Sequence, residues 1–174
     1  MPNAIDMILA VRRKYPNAAL VTELTLDDDY ARQAYFASLP ASARAYYGAM
    51  VDPDFDGDAT SQVPQVFYRR IDGLLLHNQA WSALEVKISR ADFRRDTYEK
   101  RRAWMKHTHR FIYVTPQGLL TREEIPDGCG WWEVTDAGRV IVSKRARVNR
   151  ERTEFPDSLV RTMFWRLHTA SLRR

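Results

Sequence analysis

The sequence predicts an α/β protein with a central sheet flanked by helices, and three stretches carry that prediction. Two runs rich in Leu, Ile and Val, 68–76 and 81–88, flank a short polar link and are typical of a β-hairpin. The segment 90–106, with aromatic residues spaced among basic ones, favours a helix. The apolar run 111–115, which ends at Pro116, favours a buried strand.

Elements on both sides complete this pattern. Asn3 and Asp6 resemble a capping box, so a helix is expected from about residue 3 to residue 15, before Pro16. Residues 18–26 alternate as a strand does, with Glu23 on the side opposite the leucines. The residues expected on the leucine side are Leu20, Thr22, Leu24 and Leu26.

The segment 27–65 differs in character and predicts an insertion with two short helices broken at Pro40. Within it, Asp52–Asp58 matches the opening of an EF-hand calcium loop, with acids at positions 1, 3 and 5 and glycine at position 6. Position 12 is Val63, where a bidentate glutamate belongs. An acidic surface loop is therefore favoured over a calcium site.

The C-terminal part predicts a hairpin, an arginine-rich tail and a final helix. Trp131 and Trp132 lie in the hairpin, which turns at 136–138, and are expected either in the core or stacked on bases. The helix after Pro156, about 156–172, is expected to pack a continuous apolar stripe on the domain. The members of that stripe are Leu159, Val160, Met163, Phe164 and Leu167.

Composition indicates a single globular domain spanning 1–174. The chain has no run of about 20 apolar residues that could span a bilayer. It has one cysteine, Cys129, which excludes an internal disulfide framework and favours a cytoplasmic setting. The basic cluster 12–14 follows the apolar stretch, which is the reverse of a secretory signal.

Positive charge is concentrated in one part of the chain. The net charge is +5, which is compatible with a nucleic-acid partner. Three acids lie between residues 87 and 110: Asp92, Asp96 and Glu99. The same segment carries nine basic residues: Lys87, Arg90, Arg94, Arg95, Lys100, Arg101, Arg102, Lys106 and Arg110. Such an excess is typical of a surface that follows a phosphate backbone.

Asp72, Glu85 and Lys87 form a candidate site at the start of this basic segment. Glu85 and Lys87 are two positions apart on one predicted strand and therefore share a face, while Asp72 lies on the neighbouring strand. Two carboxylates on neighbouring strands can hold a hard divalent cation. A nearby lysine can orient or help deprotonate a water and offset negative charge, a combination that suits hydrolysis of a phosphodiester.

These residues carry a family resemblance. Asp72, a twelve-residue gap and then Glu85-Val86-Lys87 resemble the motif of the PD-(D/E)XK nuclease superfamily. The stretch 85–96, Lys100 with Trp104, the strand 110–116 and the segment 125–138 are similar to the MmcB-like branch of DNA-repair nucleases. The likeness covers roughly residues 66–146.

The resemblance implies a restriction-endonuclease-like core: a central mixed β-sheet flanked by helices, with the insertion between the first strand and the motif strands. It implies Mg²⁺ or Mn²⁺ bound by Asp72, Glu85 and Val86, with Lys87 acting on the attacking water and Glu23 as a further site member. Glu23 is equally compatible with a solvent-facing strand position. The implied DNA contacts are Ser89, Arg90, Arg94, Arg95, Lys100, Arg101 and Trp104.

Three departures from the family pattern stand out. Ile71 occupies the position that gives the superfamily its proline, about two extra residues lie between Asp96 and Lys100, and a long segment separates Glu23 from Asp72. Two other functions stay open on the same residues. One is a non-catalytic nucleic-acid-binding module, and the other is an interaction protein in which the three charged residues form an ordinary ion cluster. The choices between single-stranded and duplex DNA, and between exonuclease and endonuclease action, also stay open.

Overall fold

A six-stranded sheet organises residues 3–43 and 67–172, which are the residues that this computed structural model describes. The strands follow one another across the sheet in the order of the sequence, β1 to β6. The helices are α1 (Ala4–Lys14), α2 (Asp29–Ser38), α3 (Arg90–Arg94), α4 (Tyr98–His107) and α5 (Asp157–Leu172). The strands are β1 (Ala19–Asp27), β2 (Tyr68–His77), β3 (Ala80–Val86), β4 (Arg110–Pro116), β5 (Gly130–Val134) and β6 (Val140–Lys144).

The sheet is mixed. Strands β2 and β3 form the predicted antiparallel hairpin, and β5 pairs with β6 in the same way. Strand β4 is parallel to both β3 and β5. A parallel pair needs a crossover, and α3 and α4 supply it between β3 and β4. The expectation of an α/β protein with a mixed sheet flanked by helices is confirmed.

The two faces of the sheet bury separate apolar clusters. Helix α1 covers one face, where Met7 and Val11 pack with Leu84. Helices α4 and α5 cover the other face, which we call the site face. Its cluster includes Leu74, Ala83, Trp104, Tyr113, Trp131 and Leu159. Trp131 and Trp132 are buried in the clusters of opposite faces, so both belong to the core and neither is placed to stack on bases.

Gly73 allows α1 to approach the sheet beside the candidate site. A Cβ atom built on Gly73 would lie 3.3 Å from side-chain carbons of both Ile8 and Leu20. That distance is tighter than an ordinary van der Waals contact, so a larger residue would push the helix outward. The position next to Asp72 is therefore fixed by packing.

The predicted alternation of β1 is wrong from its middle onward. Val21, Leu24 and Leu26 lie in the same buried cluster, whereas Leu20 packs in the cluster of the opposite face. The alternation slips by one residue at Glu23, whose φ of 55° lies in the left-handed region. Such a residue adds one position to the strand and reverses the faces beyond it.

The predicted single helix 90–106 is divided in two. Helix α3 is capped by Ser89 and ends at Arg94, and α4 starts after Thr97, whose side chain accepts from the amide of Lys100. Between the two helices, Asp96 turns inward and its side chain is 1% exposed. A serine or threonine that caps a helix favours a chain break just before it, which is why Thr97 separates the two segments.

The apolar stripe of α5 is narrower than predicted. Leu159 and Met163 are buried, one helical turn apart. Phe164 is 70% exposed and Leu167 is 42% exposed, so the predicted packing of these two side chains is wrong. The helix therefore meets the sheet along one row of side chains.

Residues 27–69 form a compact unit of their own, and residues 1–26 with 70–174 form the other. In the smaller unit, Asp28 caps α2 by accepting from the amide of Ala31 at 3.1 Å, and its other oxygen accepts from Arg69 Nε at 3.0 Å. Tyr35 packs on Phe67 with ring centroids 5.2 Å apart. The predicted calcium-like loop lies outside the described residues.

No helix in the described ranges is long and apolar enough to cross a membrane.

The burial of Trp104 predicts a large effect on stability. Trp104 is 0% exposed, so Trp104→Ala removes a full aromatic side chain from the core and is expected to lower the free energy of unfolding by about 3–5 kcal/mol. Trp165 is 66% exposed, and Trp165→Ala is the matched control, with an expected change within about 0.5 kcal/mol. Urea unfolding followed by circular dichroism measures both. Equal effects of the two substitutions would contradict this description of the core.

Candidate active site

Asp72 and Glu85 meet where the β2–β3 hairpin opens. The antiparallel register pairs Gly73 with Leu84, so Asp72 and Glu85 are the next opposite positions and share the site face. The main-chain ladder stops there, and the amide of Val86 donates instead to Asp72 Oδ2 at 2.7 Å. The side chain of Asp72 thus replaces a main-chain partner and lies against the Glu85–Val86 backbone.

Two lysines bind the carboxylate of Glu85. Lys87 Nζ donates to Glu85 Oε1 at 2.9 Å, and Lys100 Nζ donates to the same oxygen. Lys87 follows Glu85 by two residues on the sheet, as predicted, whereas Lys100 reaches it from α4. The side chains of Glu85 and Lys87 are 4% and 5% exposed, and that of Lys100 is 31% exposed. A buried carboxylate therefore has one buried and one partly exposed ammonium partner.

Burial and charge shift the pKa values at this position. Burial, followed by the charge of Asp72, raises the pKa of Glu85, although Lys100 and Lys87 oppose the rise. Burial alone would lower the pKa of Lys87, but the carboxylates of Glu85, Asp96 and Asp92 outweigh it and raise that pKa. Lys87 is consequently an ammonium group. Asp72 and Glu85 are close enough to repel each other, and a bound cation would relieve that repulsion.

A second layer of polar groups lies behind Lys87, and sequence reasoning assigned it no role. Asp96 Oδ1 is 3.7 Å from Lys87 Nζ. Asp96 Oδ2 accepts from Arg101 at 3.0 Å and from the hydroxyl of Tyr113, which pairs with Glu85 across β3 and β4. Burial and the neighbouring Asp96 raise the pKa of Tyr113, so its hydroxyl stays protonated and donates. Thr97 is a typical helix N-cap residue, so the sequence could have predicted that a helix starts after it and that Asp96 lies between two helices.

The donor set suits a hard divalent cation that keeps most of its water. In the described ranges, no three His, Cys, Asp or Glu side chains lie close enough together to form a metal cluster. Mg²⁺ typically takes one or two carboxylates and completes its shell with water, so Asp72 and Glu85 fit that mode. Val86 can contribute only its carbonyl oxygen, because its side chain is apolar and 5% exposed. A fully protein-ligated zinc or calcium site does not fit these residues.

Glu23 lies on the surface. Its side chain is 61% exposed and forms an ion pair with Arg70 at 3.4 Å, two residues before Asp72. The ion pair links Glu23 to the strand that carries Asp72. The two open interpretations, a further site carboxylate and a solvent-facing glutamate, both remain compatible with this position.

The residues expected to contact DNA are not equivalent. Arg94 and Arg95 are exposed on and after α3, and Arg90, also exposed, forms an ion pair with Glu124. Ser89 caps α3 by accepting from the amide of Asp92 at 3.1 Å. The side chain of Arg101 is 13% exposed and binds Asp96.

The prediction that Trp104 contacts DNA is wrong. Its side chain is completely buried in the cluster of the site face, so it supports the fold and cannot touch a nucleic acid. Lys100 and Trp104 are one helical turn apart on α4, but their side chains have different surroundings. The indole of Trp104 is buried in the cluster, whereas the long side chain of Lys100 extends along it and places its ammonium group at Glu85.

The histidines near β4 have separate partners. His107 Nδ1 lies 2.6 Å from the carbonyl of Glu154, whereas His109 Nδ1 accepts from the amide of Trp81 at 3.0 Å. Cys129 is buried, and burial raises the pKa of its thiol to about 11. It is therefore an inert core residue.

Comparison with known proteins gives one structural similarity. The chain is similar to the solved structure of a protein of unknown function from Silicibacter pomeroyi, with 21% sequence identity and a TM-score of 0.44 over 60% of this chain and 67% of that one. No family model matches the chain, and no curated protein matches it.

The contact of Lys100 with Glu85 predicts competition with a divalent cation. Lys100→Met removes a positive charge from the proposed ligand and is expected to strengthen Mn²⁺ binding about five-fold, equivalent to roughly 1 kcal/mol for a partly exposed ion pair. Mn²⁺ titration followed by electron paramagnetic resonance, without DNA, measures the affinity. Lys106→Met, an exposed lysine on the same helix, is the control. Unchanged or weaker binding in Lys100→Met would contradict this assignment.

Proposed function

We propose that this protein is a nuclease that uses Mg²⁺ or Mn²⁺ to hydrolyse phosphodiester bonds in DNA, on a restriction-endonuclease-like core. One observation carries the proposal: two carboxylates, Asp72 and Glu85, face each other at the open end of a hairpin with the ammonium of Lys87 bonded to one of them. The resemblance of this motif to the PD-(D/E)XK superfamily gives the same three residues catalytic roles.

Asp72 and Glu85, with the carbonyl oxygen of Val86, would hold the cation. When bound, the cation polarises a phosphoryl oxygen and makes the attacking water more acidic. Attack of the water oxygen on phosphorus breaks the bond to one bridging oxygen, which leaves with a proton. The protein residues have to orient the water and stabilise the negative charge that develops on the phosphoryl group.

Lys87 supplies that charge stabilisation. Its raised pKa keeps it protonated, so we assign it the role of a charged donor to the phosphoryl group or to the attacking water. Its burial supports this role, because an ammonium group shielded from bulk water acts more strongly on a developing charge than an exposed one.

The exposed arginines beside α3 are the proposed DNA contacts. Arg94 and Arg95 follow Lys87 by less than ten positions, and both are exposed. A DNA backbone held there would lie close to the carboxylates on the same face of the sheet. The resemblance to the MmcB-like branch favours a role in DNA repair, with recombination or phage and host DNA processing as related settings.

A non-catalytic nucleic-acid-binding module on the same fold is the second candidate. The exposed arginines support binding equally well, whereas the buried charged groups support catalysis. An activity panel separates the two: linear, circular, flapped and single-stranded substrates with Mg²⁺ and with Mn²⁺. Binding to these substrates without cleavage of any would favour the module.

The catalytic assignment predicts the loss of activity in three variants. Asp72→Asn, Glu85→Gln and Lys87→Met are each expected to lower the Mn²⁺-dependent cleavage rate by about a hundred-fold or more, because each removes a group that acts on the reacting phosphate. Time courses on plasmid and single-stranded DNA measure the rate, and circular dichroism checks the fold. Glu99→Gln, an exposed glutamate on α4, is the control and is expected to keep its activity. Undiminished cleavage by Glu85→Gln would refute the assignment.

The DNA-contact assignment predicts a change in salt dependence. In the Glu85→Gln background, Arg94→Ala and Arg95→Ala are each expected to weaken DNA binding and to reduce the slope of log affinity against log salt by about 0.9 for duplex or about 0.7 for single strands. Fluorescence anisotropy at several salt concentrations measures the slope. Arg12→Ala, an exposed arginine on α1, should leave it unchanged. Equal effects at all three positions would show that only net charge matters.

A further inference from the structure

Asp96 is a buried acid whose bonding is incomplete. Its side chain is 1% exposed, and Oδ2 is fully engaged by Arg101 and Tyr113. In the described ranges, Oδ1 is buried and has no hydrogen-bond partner. Buried carboxylate oxygens normally have one, so an unbonded oxygen at this position calls for a physical explanation.

The group facing Oδ1 is the ammonium of Lys87, 3.7 Å away. That distance is an ion pair and is too long for a hydrogen bond, but a movement of the ammonium by about 1 Å would complete one. An ammonium has three donor hydrogens, and Glu85 Oε1 takes one of them at 2.9 Å. Asp96 Oδ1 is thus available as a second acceptor for the Lys87 ammonium, because the hydrogen bonds from Arg101 and Tyr113 to Oδ2 fix the orientation of the carboxylate.

We infer that Asp96, fixed by Arg101 and Tyr113, is a positioning residue that holds the Lys87 ammonium in place during the reaction. The inference rests on the proposed function, in which Glu85 is a cation ligand. A carboxylate that acts as a ligand holds a neighbouring ammonium less firmly, and Asp96 then supplies the bond that keeps Lys87 directed at the phosphate. The side chain of Asp92, at 3.8 Å, is 35% exposed and is a weaker holder of the same ammonium.

Tyr113 gives Asp96 its fixed orientation. The phenol lies on β4 directly beside Glu85, and its hydroxyl reaches past the sheet to the segment between α3 and α4. Arg101 donates to the same oxygen from α4. Because the two donors come from a strand and a helix, the free oxygen of Asp96 has little freedom to turn away from Lys87.

The test is the Asp96→Asn variant, which keeps the size of the side chain and removes its charge. We expect kcat for Mn²⁺-dependent cleavage to fall by about ten-fold to a hundred-fold, the effect of a displaced catalytic group. The KM for DNA and the affinity for Mn²⁺ measured without DNA should stay within about two-fold, because Asp96 touches neither. Asp136→Asn, at an exposed aspartate in the β5–β6 turn, is the matched control and should keep kcat within about three-fold.

Other outcomes overturn the inference. An unchanged kcat in Asp96→Asn, with a lowered melting temperature, assigns Asp96 to the fold alone. A loss of Mn²⁺ affinity that parallels the loss of kcat assigns it to the cation. If Asp96→Asn does not fold, Tyr113→Phe loosens Asp96 and keeps its charge: kcat should fall about three-fold to ten-fold at unchanged KM, and full kcat would overturn the inference. A wild-type protein that cleaves no substrate in Mn²⁺ overturns the proposed function, and this inference with it.

Discussion

The burial of the Glu85 carboxylate is the constraint on which the rest of the site depends. A buried charge is costly unless it is paired and hydrogen-bonded, and the side chain of Glu85 is 4% exposed. Lys87 pairs with it from its own strand and Lys100 from α4. The ammonium of Lys87 in turn lies among further carboxylates, one of which, Asp96, lies just before Thr97 in the break between α3 and α4. Glu85 is therefore linked, directly or through Lys87, to α4 and to the segment between α3 and α4.

Positive charge in the segment 87–110 serves two purposes, and the sequence alone does not separate them. Lys87 and Arg101 are buried or nearly buried and bind carboxylates of the protein. Lys100 is partly exposed and binds Glu85, and Arg90 pairs with Glu124. Arg94 and Arg95 are exposed, although Arg95 also lies 3.7 Å from a carboxylate oxygen of Asp92. The electrostatic surface available to a phosphate backbone is consequently smaller than the count of basic residues indicates.

The parts of the fold that follow from short-range periodicity were predictable, and the parts set by distant contacts were not. Alternation places Glu85 and Lys87 on one face, and the hairpin brings Asp72 opposite, both as expected. Thr97 marks the break between α3 and α4 locally, but the inward orientation of Asp96 depends on Tyr113, 17 positions later, whose hydroxyl donates to the carboxylate. The one-residue shift in the alternation of β1 depends on the left-handed φ of Glu23, which no pattern in the neighbouring sequence indicates. The burial of Trp104 was hidden because charged residues surround it in the sequence.

Stability alone does not explain a cluster of charges at this position. Elsewhere on the site face, side chains such as Ala83 and Trp131 are apolar and form an ordinary core. Replacing a buried ion pair by apolar side chains of similar volume often leaves the stability of the fold unchanged or raises it, because the cost of desolvating the two charges offsets their attraction. Stability therefore gives no specific reason for an ion pair, in place of apolar side chains, at the positions of Glu85 and Lys87. The presence of both charges, next to the partly exposed carboxylate of Asp72, is compatible with the proposed phosphodiester hydrolysis, which needs charge in a water-poor site.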